Sequence, residues 1–164
     1  HMIEEYLDFA RGEGGEAPQP TDVKLLLEDA VQDCTRARKV PADNVRLSLQ
    51  DGPEVTVKRN ALRRCLINLI ENALKYGTHA HVALVRQARM IEIFVDDDGP
   101  GINEEDHEAA FRPFYRLDEA RNLQSGGVGL GLAIARDIAR AHGGDVRLDR
   151  SALGGLRAVI RIPA

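Results

Sequence analysis

Apolar residues fall at helical spacing in three long stretches of the chain. Val23, Leu26, Leu27, Ala30, Val31 and Cys34 make one stripe, which predicts a helix over residues 22–38 with Thr21 as its N-cap. Leu62, Cys65, Leu66, Leu69, Ile70, Ala73 and Leu74 make a second stripe, predicting a helix over 59–76 that Gly77 ends. Residues 128–141 read as a third helix, stopped by Gly143 and Gly144. Elsewhere the period is two. Val45, Leu47 and Leu49 alternate with polar residues, Asp51-Gly52-Pro53 turns the chain, and Val55 and Val57 alternate again, giving two short strands. Further strands are expected at 81–86, 90–95, 146–148 and 158–162, with a short helix around 104–109. Helices interleaved with strands joined by tight turns predict an α/β (α+β) two-layer sandwich, a mixed β-sheet packed on about three helices.

The N-terminal end reads differently. Ile3, Tyr6, Leu7 and Ala10 mark one face of a helix too short to stand alone, which therefore needs a partner helix. Gly12, Gly14, Gly15, Pro18 and Pro20 then break any regular element. The expected organisation is a vector remnant, His1-Met2, and the end of a longer helix in 1–11, a hinge linker in 12–20, and one domain in 21–164. A chain of 164 residues is long enough for one sizeable core and short for two.

Composition narrows the function. Aromatics make up 4% and Trp is absent, so readout of single-stranded nucleic acid by base stacking is disfavoured. Twenty-two basic against 26 acidic residues give a net charge of -4, and the basic residues are spread out, so no nucleic-acid partner is expected and phosphate binding must be local. Cys34 and Cys65 lie on the apolar stripes, where packing explains them better than a disulfide or metal, and this fits a reducing, cytoplasmic setting. No run approaches the ~18 apolar residues of a membrane span, so direct membrane insertion of this segment is not expected, while a membrane-anchored parent stays open.

Three polar segments interrupt the apolar pattern. On the second helix Asn68 and Asn72 lie one turn apart, Lys75 one turn beyond and Tyr76 above Asn72, off the apolar stripe. An amide oxygen there can complete the octahedral shell of Mg2+ without adding negative charge beside a triphosphate, and a lysine adds a point charge; a solvated helix face is the plain alternative. Asp97-Asp98-Gly99-Pro100-Gly101 follows a strand, where a carboxylate can accept a hydrogen bond from the exocyclic amine of adenine and glycines permit close approach of the base. A calcium loop fails here, because its alternating ligands would need one at Phe94. Gly127, Gly129 and Gly131 open the third helix, where free backbone N–H groups suit phosphate oxygens. The dinucleotide fingerprint and the Walker loop both fail on spacing, since the first would need glycine at Leu132 and no glycine is followed by Lys and Ser or Thr.

In this order the three segments resemble the asparagine box and the glycine boxes of the sensor histidine kinases, within the GHKL family that also holds DNA gyrase and the Hsp90 chaperones. Phe111-Arg112-Pro113-Phe114-Tyr115-Arg116 resembles the phenylalanine box, and residues 117–126 would be the lid. Arg116-Leu-Asp-Glu-Ala-Arg121 and Gly154-Gly155-Leu156 look like the EnvZ-like branch. The resemblance implies a Bergerat-type ATP-binding fold with ATP and Mg2+. By it, Asn72 holds the metal; Asn72, Lys75, Tyr76, Asp97, Gly99, Gly101, Ile102, Arg116, Gly127, Val128, Gly129, Leu130, Gly131 and Leu132 line the nucleotide. Asn68, Lys75 and Arg116 are implied in catalysis, with Arg121 a weaker candidate.

A histidine kinase also needs a phosphoacceptor histidine heading a proline-containing motif. None of the five histidines does: His1 reads as vector, His79, His81 and His142 as surface residues, and His107-Glu108 leads into Phe111. The expected function is therefore a kinase domain that passes the ATP γ-phosphoryl group to a histidine on its own dimerisation domain, outside this chain. The implied partners are that domain and a downstream response regulator, and the implied parent is anchored in the inner membrane. The alternatives are a GHKL-type ATPase and a non-catalytic nucleotide-binding module. The ATPases place a glutamate base where Asn68 stands, and Glu71 lies about 100° away from Asn72 on the helix.

Overall fold

The structure, a computed structural model, describes residues 15–51, 54–113 and 131–164. The elements run β1 (Gln19–Asp22), α1 (Val23–Arg38), β2 (Val45–Leu49), β3 (Glu54–Val57), α2 (Arg59–Tyr76), β4 (Ala80–Gln87), β5 (Met90–Asp97), α3 (Gly131–Ala141), β6 (Asp145–Arg150) and β7 (Leu156–Pro163). Five strands form one mixed sheet in the order β2-β4-β5-β7-β6, parallel only at β2 and β4. β1 and β3 pair antiparallel as a separate two-stranded sheet.

The period-two pattern decides which sheet face is dry. Val82, Leu84, Ile91, Ile93, Ile160, Ile162 and Val146 all point to one side and are fully or almost fully buried under the helices. α2 is the central helix, packed on α1, on α3 and on β5, and its stripe from Ala61 to Leu74 is buried throughout. Cys34 and Cys65 are free thiols inside this core. Burial pushes both up to about 12, with Glu71 adding to the effect at Cys34, so both are inert packing residues as expected.

The opposite sheet face is sealed by charge. Arg157 grips Asp96 at two points, 2.8 and 3.2 Å, while its guanidinium lies 4.9 Å from the Phe94 ring centroid. Arg161 approaches Glu92 at 3.9 Å. These pairs hold β5 and β7 in register, with Asp96 opposite Arg157 and Glu92 opposite Arg161.

Several boundaries differ from the sequence reading. Asp22, not Thr21, caps α1, its Oδ1 accepting from Leu25 N–H at 3.1 Å. Pairing with β3 keeps the chain extended through Asp22, so Thr21 is a buried strand residue whose hydroxyl donates to Gln19 O. Gln19 and Pro20 sit in β1, opposite Val57 and Thr56. The expected helix at 104–109 is two separate single 3-10 turns, Glu104–Asp106 and Ala109–Phe111. β5 runs two residues past Val95, so Asp97 ends the strand. The expected start of the third helix at Val128 lies outside the described residues.

His142 is more than a surface residue. Its Nε2 accepts from Lys58 N–H at 3.0 Å and its Nδ1–H donates to Ile138 O at 2.8 Å, joining the end of α3 to the start of α2. Glu16 completes that helix start by accepting from Asn60 and Ala61 N–H at 2.8 and 3.1 Å. His142→Ala strands the Lys58 N–H. Thermal or urea unfolding should show a loss of about 1–2 kcal/mol, with nucleotide affinity unchanged.

Candidate nucleotide site

The site is built where α2 and β5 both end. The core stripe of α2 leaves Asn68, Asn72, Lys75 and Tyr76 half-buried along one flank. Gly77 N–H closes the helix on Ala73 O at 2.8 Å. Gly77 itself is extended rather than left-handed, and it is glycine for room: a Cβ there would lie 2.9 Å from Asp98 Oδ1 and 3.0 Å from Asp97 Cβ. A Cβ at Gly99 would lie 2.6 Å from Tyr76 O. The end of α2 and the Asp97-to-Gly101 turn are thus in direct contact, though twenty residues separate Gly77 from Asp97 in sequence.

Asp97 is the buried carboxylate of this junction, 3% exposed. Its Oδ1 accepts from Gly99 N–H at 2.9 Å and Leu156 N–H at 3.1 Å. Burial raises its pKa, and the two backbone N–H groups oppose that rise by supporting the anion. Among the described residues Oδ2 receives no hydrogen bond. Asp98 does unrelated work: it accepts from Thr78 and His79 N–H at 2.7 and 2.9 Å and meets the His79 ring at 2.8 Å, which holds the turn between α2 and β4. Those bonds to His79 and Thr78 hold the Asp98 carboxyl below the usual range.

The sequence-predicted residues divide cleanly. Tyr76 O lies against Gly99 and Gly77 against Asp97 and Asp98 at this junction, Gly101 packs on Gly155 beside it, and Asn68, Asn72 and Lys75 are half-buried along the α2 flank. Ile102 packs on the core beside it, and its carbonyl accepts from His107 Nε2 at 3.0 Å. Gly131 and Leu132 open the described part of α3, which lies against α2, with Cys65 Sγ donating to Ala135 O. Arg116, Arg121, Gly127, Val128, Gly129 and Leu130 lie outside the described residues. Phe111, the first residue of the predicted phenylalanine box, is buried and covered by the Arg136 guanidinium at 4.1 Å. Arg136 also binds Glu108 at 2.7 Å and Asp145 at 2.9 Å, fastening this segment to α3 and β6.

Gly155 and Leu156 were absent from the sequence-predicted site, yet they touch its centre. Two glycines before a strand is the signal that could have pointed there, but the same signal marks any tight hairpin.

An adenine nucleotide with its metal fits these residues on three counts. One Asp97 carboxylate oxygen receives no hydrogen bond from a described residue. Asn68 Nδ2 is buried with no hydrogen-bond partner among the described residues, a cost that an anionic oxygen would remove. The Asn72 side chain forms no hydrogen bond to a described residue, so its amide oxygen is available to a cation. No group of three or more His, Cys, Asp or Glu among the described residues could hold an ion, so a metal here would take its remaining ligands from phosphate and water, as Mg2+ does.

Residues 57–164 match the family described as histidine kinase-, DNA gyrase B- and HSP90-like ATPase. The sensor histidine kinase CpxA of Escherichia coli K12 is 51% identical over 105 residues, 63% of this chain and 23% of that protein. The sensor protein RstB of the same strain is 38% identical over 164 residues, 95% of this chain and 37% of that protein. This chain therefore spans well under half the length of these curated relatives. The solved ATP-binding domain of PrrB from Mycobacterium tuberculosis superposes with a TM-score of 0.69 at 32% identity, covering 91% of this chain and 98% of that domain. A strand order with helices on one face, a site at the end of β5 and this match over most of the chain lead to one conclusion: the chain belongs to the family of histidine kinase-, DNA gyrase B- and HSP90-like ATPases.

Proposed function

We propose that this chain is the catalytic and ATP-binding domain of a two-component sensor histidine kinase, passing the γ-phosphoryl group of ATP to a histidine on its parent's dimerisation domain. The observation that carries the binding half is Asp97, buried, with one oxygen held by two backbone donors and the other without a donor among the described residues. That oxygen accepts from the exocyclic amine of adenine. Guanine offers a carbonyl there and would leave a buried carboxylate unpaired, which excludes it.

The phosphate end lies along α2. Asn72 would hold Mg2+ through its amide oxygen, and Asn68 would donate its side-chain N–H to a phosphate oxygen. Lys75, Arg116 and the N–H groups that open α3 supply the remaining positive charge. When bound, the metal neutralises charge on the transferring phosphoryl group; the protein's own part is positioning and charge complementarity.

Two features favour transfer over hydrolysis. Asn68 cannot take a proton from water, and Glu71, the nearest carboxylate on the helix, is drawn aside by Arg38 at 2.7 Å. The described histidines are also committed elsewhere: His79 to Asp98, His81 to Ser48 Oγ at 2.8 Å, His107 to Ile102 O and His142 between two helices. The nucleophile therefore comes from the dimerisation domain, and a response regulator receives the group next. No described helix is long and apolar enough to cross a membrane. The proposed parent is membrane-bound, with this domain on the cytoplasmic side.

Incubation with ATP labelled on the γ-phosphate tests this. The chain alone should release phosphate slowly and carry no stoichiometric label. Adding the separately expressed dimerisation domain should move label onto its histidine. Rapid phosphate release, or full labelling of a histidine in this chain, would favour the ATPase or a different acceptor.

A further inference from the structure

The β6–β7 hairpin lies outside the three polar segments marked by the sequence, yet it reaches the Asp97 carboxylate. Gly155 N–H donates to Asp97 O at 3.0 Å, and the next amide, Leu156 N–H, donates to Asp97 Oδ1 at 3.1 Å. The fit leaves no room for a side chain. A Cβ at Gly155 would lie 2.2 Å from Asp97 Oδ1, 2.6 Å from Asp97 O and 2.6 Å from Gly99 N. Gly101, at φ +72, packs on the other side of the same peptide, its own Cβ position 3.3 Å from Gly155 O.

The neighbouring glycine serves another purpose. Gly154 adopts φ +103 with nothing within 4 Å of its Cβ position, so it satisfies the turn alone. The hairpin is stiff at its tip and its base. Ser151 is buried and its backbone N–H donates to Gly155 O at 2.9 Å, while Gly154 N–H returns to Ser151 O at 3.0 Å. Next along β7, Arg157 holds Asp96 at two points on the far face of the sheet.

We infer that this hairpin sets the nucleotide's base selectivity: Gly155, a positioning residue, and the Leu156 amide lock the Asp97 carboxylate so that Oδ2 alone is presented to the purine 6-position. The inference rests on Asp97 being the base-recognising group. Its physical content is that a carboxylate held through Oδ1 by two amides cannot rotate to follow a different base. A methyl group at 155 displaces either that oxygen or the hairpin, and the hydrogen bond to the 6-amino group breaks before any other.

Binding of ATP is compared with binding of purine riboside triphosphate, which lacks the 6-amino group, by calorimetry. The wild-type protein should prefer ATP by at least roughly tenfold. Asp97→Asn tests the underlying reading: if it retains the preference, Asp97 does not recognise the base and the inference goes with it. Gly155→Ala tests the inference itself. It should bring the preference to within about threefold by weakening ATP while leaving the analogue nearly unchanged, and should add nothing in the Asp97→Asn background. Gly154→Ala should lower the melting temperature and leave the preference intact. Equal weakening of both nucleotides by Gly155→Ala, or an undiminished preference, would show that Gly155 only packs. Should Gly155→Ala not fold, Arg157→Lys keeps a cation for Asp96 but gives up the two-point grip without adding atoms. A preference reduced several-fold supports the inference, and an unchanged one overturns it.

Discussion

Replacing Asp97 by Asn should weaken ATP binding by about 2–4 kcal/mol, roughly 30- to 1000-fold in Kd, while the domain stays folded. The asparagine oxygen can take the place of Oδ1 and keep both bonds, from Gly99 and Leu156 N–H. Its amide nitrogen then takes the place of Oδ2 and points a donor at a donor. Stability follows the opposite sign. Burial raises the Asp97 pKa in the fold, so the native state binds this proton more tightly than the unfolded chain. Between the ordinary and the raised value stability therefore falls as pH rises, and above both the ionised group is a fixed cost. Asn removes that cost, so the melting temperature at pH 7 should not drop, and the variant's advantage should shrink as pH is lowered through the Asp97 titration. A melting temperature that falls sharply at pH 7 would mean that the charge itself holds the junction together.

Removing the Asn72 amide should have the second largest effect, seen in the metal rather than the base. With Asn72→Ala the ratio of ATP affinities with and without Mg2+ should fall toward one, a loss of roughly tenfold or more in the presence of metal, because Mg2+ keeps few protein ligands and each one counts. Magnesium-free affinity should be almost untouched. The fold should tolerate the change, since the Asn72 side chain is half-buried, forms no hydrogen bond to a described residue and gives way to a good helix former. Unchanged magnesium dependence would move the metal to another ligand and leave Asn72 as a solvated flank residue.

Much of this was readable from residue order because the information is local. Helix stripes and strand alternation report burial directly, and the stripe from Leu62 to Leu74 gave α2 to the residue. The motif residues were legible for the same reason: Asn68, Asn72, Lys75 and Tyr76 face one way by helical spacing alone. The misreadings came where a distant partner decides. Thr21 is a better-looking cap than its neighbour until β3 pairs with β1 and moves the helix start to Asp22. The imidazole of His142, next to two glycines, has the sequence context of a surface residue, and only the packing of α3 on α2 gives it Lys58 N–H to accept from.

By itself the amino-acid sequence determined the layered architecture, the buried stripes and the three polar segments proposed to bind a nucleotide, since periodicity and turn chemistry need no partner. The tertiary structure alone decided how the Asp97 carboxylate is held. Gly155 and Leu156 come to Asp97 from the far end of the chain because β5 pairs with β7, and that sheet register, set by side chains on both of its faces, is not encoded in any local pattern.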